Sequence, residues 1–158
     1  MPIEKLKSFL DGAGVKYVTI SHSRAYTAQE AAASAHIPGQ ELAKTVMVKL
    51  NGMLAMAVVP ASYNVDLDLL GHVAGVAKAE LAKEHEFAGR FPQCDTGAMP
   101  PFGNLYGFDV YVAESLAEDN EIAFAAGSHT ELVRMRYDDF ERLVRPKVLA
   151  FSEPALPH

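Results

Sequence analysis

Three stretches of the chain carry groups suited to chemistry on a carbonyl. Lys44 stands in Leu42-Ala43-Lys44-Thr45-Val46, a cation at the opening of an otherwise apolar run. Such a lysine either snorkels from a strand edge with its ammonium in water or offers a point charge to an anionic ligand. Gly97-Ala98-Met99-Pro100-Pro101-Phe102-Gly103 joins glycine, which lets a backbone amide approach a ligand closely, to prolines that stiffen a loop. An oxyanion hole needs that combination, and a rigid turn uses the same residues. Ser128 and His129 follow Gly127. Neighbours in an extended segment face opposite ways and rarely act as nucleophile and base. His129 is therefore expected to enter a pocket alone, as donor, acceptor or orienter, the alternative being a satisfied structural histidine. Gly127 would end its strand with its backbone close to a ligand.

The rest of the chain narrows the chemistry by omission. It contains no phosphate-binding P-loop, dinucleotide fingerprint, nucleophile elbow or zinc-protease helix. Six histidines, at positions 22, 36, 72, 85, 129 and 158, form no helical pair and no metal-ligand pattern. No metal and no cofactor are expected.

These groups must be held by elements that the hydrophobic pattern predicts. Ile3, Leu6, Phe9 and Leu10 fall at helical spacing with Gly12 and Gly14 as a stop, and Tyr17 to Ile20 reads as a strand. Thr27-Ala28-Gln29-Glu30 matches a capping box ahead of a short Ala-rich helix ending before Pro38. Thr45 to Leu50, Asn51-Gly52 and Met53 to Val59 predict a hairpin with a type I′ turn. A helix over 66–72, a short buried strand over 75–77 and a helix over 80–87 follow, then a turn-rich ordered loop over 91–103. Strands are predicted at 110–112, 122–126 and 132–135. A helix should begin near Asp138 with Glu141 completing a second capping box, a last strand should lie within 147–151, and the proline-bearing tail should fray. Strands and helices intermingle without regular alternation, which favours a mixed sheet or partly closed barrel with packed helices over a doubly wound parallel sheet.

One domain of 158 residues is expected, since no repeat, linker or low-complexity segment divides the chain. Apolar residues at 49% and charged residues at 22% set disorder and fibrous classes aside. A lone cysteine, Cys94, precludes an intramolecular disulfide, and neither a signal peptide nor a bilayer-length apolar run is present, so a cytoplasmic protein without membrane contact is expected. A net charge of -6 argues against a general coat for DNA or RNA. A local basic surface near Arg134, Arg136, Arg142, Arg145 and Lys147 could still receive a nucleic-acid end, and a solvated charged face explains the same residues.

In order along the chain, His22 to Glu30, Ala43-Lys44-Thr45-Val46, Val58-Val59-Pro60-Ala61, Val65-Asp66-Leu67, Gly97 to Gly107 and Phe124 to Met135 resemble the signatures of the YbaK/EbsC family, whose fold is shared with the editing domain of bacterial prolyl-tRNA synthetases. The resemblance covers about 25–145. It implies an α/β fold with a mixed, barrel-like sheet flanked by helices, and metal-free hydrolysis of an aminoacyl-tRNA ester. By position it gives Lys44 the terminal phosphate region of the substrate and Gly97 the aminoacyl carbonyl, both as catalytic candidates. Tyr26, Thr45, Ala98, Phe102, Gly103, Gly127 and His129 become candidates for substrate binding.

The implied function is trans-editing of a mischarged tRNA carrying a small or hydroxylated amino acid of Ala, Ser or Thr type. The partner is the acceptor end of aminoacyl-tRNA, with a synthetase as a possible second partner. Family members that hydrolyse alanyl-tRNA tend to carry Asn at the position of Thr45, which argues against a strict alanine editor. Cysteinyl-tRNA hydrolases of the family commonly lack the histidine, which argues against that subgroup. A non-catalytic module that binds aminoacyl-tRNA or a synthetase, and a hydrolase of another small acyl ester, are the competing functions. Editing has a physical rationale, because a synthetase pocket cannot strongly reject a smaller or nearly isosteric amino acid and a second hydrolytic sieve can.

Overall fold

The structure is a computed structural model that describes residues 3–25 and 27–154. Its first helix, α1 (Glu4–Ala13), buries Leu6 and Leu10 and ends at Gly14, whose φ of 70° is the left-handed cap that glycine fills without a Cβ penalty. After β1 (Tyr17–Ser21), the Thr27 hydroxyl accepts from the Glu30 amide at 3.1 Å and starts α2 (Ala28–Ala35). β2 (Leu42–Leu50) and β3 (Met53–Pro60) form the predicted hairpin. Asn51 and Gly52 take φ of 52° and 84°, the two positive values a type I′ turn requires.

The chain continues through β4 (Tyr63–Val65), α3 (Leu67–Ala74), β5 (Ala79–Leu81) and α4 (Glu84–Phe87) into the turn-rich loop. Beyond it lie β6 (Val110–Ala113), α5 (Glu114–Ala117), β7 (Glu121–Ala125), β8 (Glu131–Arg136), α6 (Tyr137–Val144), β9 (Lys147–Leu149) and β10 (Ser152–Pro154). Seven strands form a mixed sheet in the order β1-β8-β7-β2-β3-β6-β9, with β5 added to β2 as an eighth. The fold is thus the mixed α/β arrangement expected from the intermingled pattern.

The register of β2 opens the sheet at one place. One flank of β2 pairs with β3 from Ala43 to Leu50. The other flank pairs in parallel with β7 at Leu42 and Ala43, and antiparallel with β5 from Val48 to Leu50. Between those two partners Lys44, Thr45 and Val46 meet no strand on that flank among the described residues, which leaves room for side chains and loops from elsewhere. Beneath α2 the packing is built from small residues, Ala31, Ala32, Ala61 and Ala123 with Leu42 and Leu132. The opposite core is aromatic, centred on Phe102, Phe124 and Phe140.

Several sequence expectations are corrected. The strand over 75–77 is absent because Gly75, φ 73°, caps α3 and the Val76 amide returns to the Gly71 carbonyl at 2.9 Å. The strand lies instead at Ala79–Leu81, where Glu80 reaches Lys49 on β2 at 3.0 Å. That pairing shortens the helix predicted over 80–87 to its last turn. At α6 the helix begins at Tyr137 with no side-chain cap bond, and Glu141, expected to close a capping box, accepts from the Tyr137 hydroxyl at 3.1 Å. The one-turn α5 is unforeseen, and Ser152–Pro154, expected to fray, pairs with β4. Among the described residues no helix is long and apolar enough to cross a membrane.

Candidate active site

The opening beside β2 is a cavity. Lys44 and Thr45 from β2, Gly97 and Ala98 from the turn-rich loop, and His129 from the connection between β7 and β8 all line it. Ala25, Ala28 and Ala31 form the wall under α2. The cavity volume is about 40 Å³, room on the order of three waters, so only a small group fits the interior.

Asp95 ties the two loops together. Its carboxylate Oδ2 accepts from the His129 amide at 3.2 Å. Its own amide donates to the Gly127 carbonyl at 2.8 Å, the Gly127 amide donates to the Ala98 carbonyl at 2.9 Å, and the Ala98 amide closes on the Asp95 carbonyl at 3.0 Å. The Ala98 N–H is thereby consumed inside the loop. Gly97 differs: at φ 90° its N–H points to the Met99 sulfur at 3.2 Å, a weak acceptor that a developing oxyanion can displace.

Electrostatics single out Lys44. Its ammonium has only the Ala61 carbonyl, at 3.5 Å, as a hydrogen-bond partner among the described residues. Burial pushes its pKa below the ordinary lysine value of 10.5. No carboxylate among the described residues offsets that cost. Two residues that line the cavity each carry a buried polar atom without a partner among the described residues, Oγ1 of Thr45 and Nε2 of His22. The other ring nitrogen of His22 lies 2.7 Å from the Ser23 carbonyl. A carbonyl only accepts, so in the neutral ring Nδ1 carries the proton and Nε2 is left as an acceptor.

Other candidate residues sit elsewhere. Phe102 is fully buried, edge-on to Phe9 at 6.0 Å and to Phe140 at 5.4 Å, and does not line the cavity. Gly103 is a packing glycine, since a Cβ there would fall 2.7 Å from the Phe108 carbonyl and 2.6 Å from Val110 Cγ2. Gly127, φ 102°, leaves room for the Ile3 side chain, which a Cβ would strike. It touches the site only through its hydrogen bonds to Asp95 and Ala98. Tyr26 lies outside the described residues. Ser128 lines the cavity with its hydroxyl 3.3 Å from that of Thr130. His22 and Asp95 escaped the sequence reasoning as site residues. Asp95, two positions before a loop glycine, was the available signal for the second.

The expected basic surface is largely occupied by its own acids. Arg134 approaches Glu41 at 3.6 Å and Glu121 at 3.5 Å, Arg136 meets Asp138 at 3.2 Å, and Arg142 meets Asp139 at 3.2 Å.

Comparison with known proteins adds one family match and three structural likenesses. A family model described as an aminoacyl-tRNA editing domain matches residues 22–143. The hypothetical protein APE2540 superimposes with a TM-score of 0.83 at 21% identity, over 95% of this chain and 100% of that one. A candidate trans-editing enzyme for prolyl tRNA synthetase gives 0.79 at 21% identity, over 94% and 95% of the two chains. A candidate signal transduction protein from Marinobacter aquaeolei VT8 gives 0.75 at 17% identity, and there the match covers 96% of this chain but 31% of the other. No curated protein matches.

Proposed function

The chain belongs to the aminoacyl-tRNA editing domain family, and from that premise we propose that it is a trans-editing deacylase for tRNA mischarged with a small or hydroxylated amino acid. The observation that carries this is the convergence of Lys44, Thr45, Gly97 and His129 on one cavity with little room inside. Chain topology brings them together from three separate segments, and the Lys44 ammonium and the Gly97 N–H have only weak acceptors among the described residues.

The chemistry follows from those groups. The 3′-terminal adenosine enters at the mouth, with its phosphate toward the Lys44 ammonium, and the aminoacyl group points inward toward the alanine wall. The ester carbonyl takes the Gly97 N–H in exchange for the Met99 sulfur. That hydrogen bond strengthens as the carbonyl oxygen gains charge in the tetrahedral intermediate, which is where stabilisation accelerates the reaction. Water attacks the carbonyl carbon, oriented by the vicinal ribose hydroxyl of the substrate, and the ester C–O bond breaks to release amino acid and tRNA. An activated ester needs no protein nucleophile. His129, held through its backbone by Asp95, bounds the side-chain end of the pocket.

A panel of mischarged tRNAs assayed singly, with and without chelator, tests the proposal. Deacylation of alanyl-, seryl- or threonyl-tRNA that survives chelator is the expected result. Tight binding of those tRNAs with no hydrolysis would make the domain a binding module, and turnover of simple acyl esters alone would make it a different hydrolase.

A further inference from the structure

We infer that Ile3 is a positioning residue for the candidate active site, its side chain holding the Gly127 backbone from which the Gly97 loop and His129 take their places. The inference rests on the deacylase function proposed for the cavity and concerns how the groups of that cavity are held. Ile3 stands just ahead of α1 and packs, partly buried, against the main core. Its N–H donates to the Ala126 carbonyl at 3.1 Å. A Cβ added to Gly127 would strike Cγ2 of Ile3 and lie 3.4 Å from its Cβ and Cγ1. Three carbons of one side chain thus press on one stretch of backbone, and the branch at Cβ keeps them stiff.

The opposite side of Gly127 faces the catalytic loop. Its N–H donates to the Ala98 carbonyl at 2.9 Å, and its carbonyl accepts from the Asp95 amide at 2.8 Å, so both bonds reach residues that flank Gly97. Two positions further on, His129 enters the cavity wall. Its carbonyl accepts from the Ala25 amide at 3.0 Å, and that of Thr130 from the His22 amide at 2.8 Å. Hydrogen bonds such as these stay made over about 0.5 Å of travel, whereas close-packed carbons resist displacement steeply. Gly127, at φ 102°, has the conformational freedom of glycine and moves readily into any space that Ile3 vacates. Such a move carries the Gly97 loop and His129 with it. Neither Ile3 nor Gly127 lines the cavity, so Ile3 acts on the chemistry only through that backbone.

Positioning and ordinary packing rank substitutions differently. Val retains Cβ and both Cγ atoms, the three that meet Gly127, and loses only Cδ1. Leu retains the apolar bulk but moves the branch one carbon outward and gives up Cγ2. Burial alone therefore places Leu above Val. Contact with Gly127 places Val above Leu.

The test is single-turnover deacylation of alanyl-, seryl- and threonyl-tRNA over a range of enzyme concentrations, for the parent, Ile3→Val, Ile3→Leu and Ile3→Ala, with melting curves and amide hydrogen exchange on the same proteins. Ile3→Ala should slow the saturated rate about 10-fold or more while the half-saturating enzyme concentration stays within about twofold, because geometry of attack and not tRNA binding is disturbed. Ile3→Val should run close to the parent, and Ile3→Leu should run slower than Ile3→Val although it melts no lower. Exchange at the Gly127 and His129 amides should quicken in Ile3→Ala more than exchange within β7 does. Ile3→Leu reports even if Ile3→Ala folds badly. Rates that follow the melting temperatures, with Leu above Val, or a folded Ile3→Ala protein with the parent rate and parent protection at Gly127 and His129, would overturn the positioning role and leave the deacylase function standing. Hydrolysis of none of the three esters by the parent would remove the deacylase function and this inference together.

Discussion

A Cβ added to Gly97 would lie 3.7 Å from Cε1 of His129, so the glycine proposed to hold the carbonyl and the histidine proposed to bound the pocket face each other across the width of one methyl group. The distance is ordinary van der Waals contact, and a side chain at Gly97 is not excluded by space. It is opposed by φ of 90°, which L residues rarely adopt.

Gly97→Ala should therefore fold, with a stability loss of about 1–2 kcal/mol from backbone strain. Its deacylation rate should fall about 100-fold, because relaxing φ swings the N–H away from the oxyanion. Thermal melts and single-turnover rates separate the two effects. A folded variant with the parent rate would show that Gly97 is only a turn residue.

What the sequence disclosed was what neighbours along the chain decide. The Asn51-Gly52 hairpin and the Thr27 cap are local devices, and both stand where their residues put them. Gly97 and Gly103 read alike in the same proline-rich loop, yet one faces a cavity and the other admits the Phe108 carbonyl and Val110. Distinguishing them requires the strands that arrive from residues 108–110. His22 is one histidine among six, and nothing beside it in the sequence tells whether its ring is paired. The split flank of β2, which creates the cavity, depends on β7 and β5 meeting the same strand from distant parts of the chain. Glu80 falls inside the helix predicted over 80–87, and contact with Lys49 at 3.0 Å accompanies its place in β5 beside β2, so tertiary pairing outweighed local pattern there.

Asp95→Ala removes the acceptor of the His129 amide while sparing the three backbone bonds that run through the loops. The stability loss should be about 1 kcal/mol. Deacylation should fall roughly 10-fold or more, because a loop shifted by an ångström loses the attack geometry. Asp95→Asn, which keeps an acceptor oxygen, should recover most of the rate. An equal loss in both variants would mean that charge at Asp95, and not the tether, is what matters.

Asp119 gives a stability prediction with a defined sign. Its Oδ2 is buried without a partner among the described residues. Burial, then the charges of Glu41 and Glu118, push the carboxyl from 3.8 up to about 6. The folded state thus holds this proton more tightly than the unfolded chain, and stability falls as pH rises between about 4 and about 6. Asp119→Asn should raise stability at pH 7.5 by up to about 1 kcal/mol, a figure reduced for solvent screening at a partly exposed group. The gain should vanish near pH 4. Melting curves at the two pH values check this, and a variant less stable at pH 7.5 would contradict it.

Lys44 offers the sharpest separation of function from stability. Burial lowers its pKa from 10.5, so the folded state binds this proton less tightly than the unfolded chain. Stability should rise with pH between the lowered value and 10.5, and Lys44→Met should be neutral or stabilising within about 1 kcal/mol at pH 7. Deacylation should move the other way. With the ammonium proposed at the substrate phosphate, Lys44→Met should slow single-turnover hydrolysis about 100-fold, the loss of one charge-assisted contact of about 3 kcal/mol. The parent rate, corrected for spontaneous alkaline hydrolysis of the ester, should decline with rising pH before an ordinary lysine would titrate, because the active form is the ammonium. Lys44→Arg stays protonated and should lose that alkaline limb, while its planar fork fits a space shaped around a point charge poorly enough to keep the rate below the parent's. A Lys44→Met enzyme within about threefold of the parent, under ~1 kcal/mol of transition-state stabilisation, would make Lys44 an ordinary edge lysine and remove the cation from the proposed mechanism.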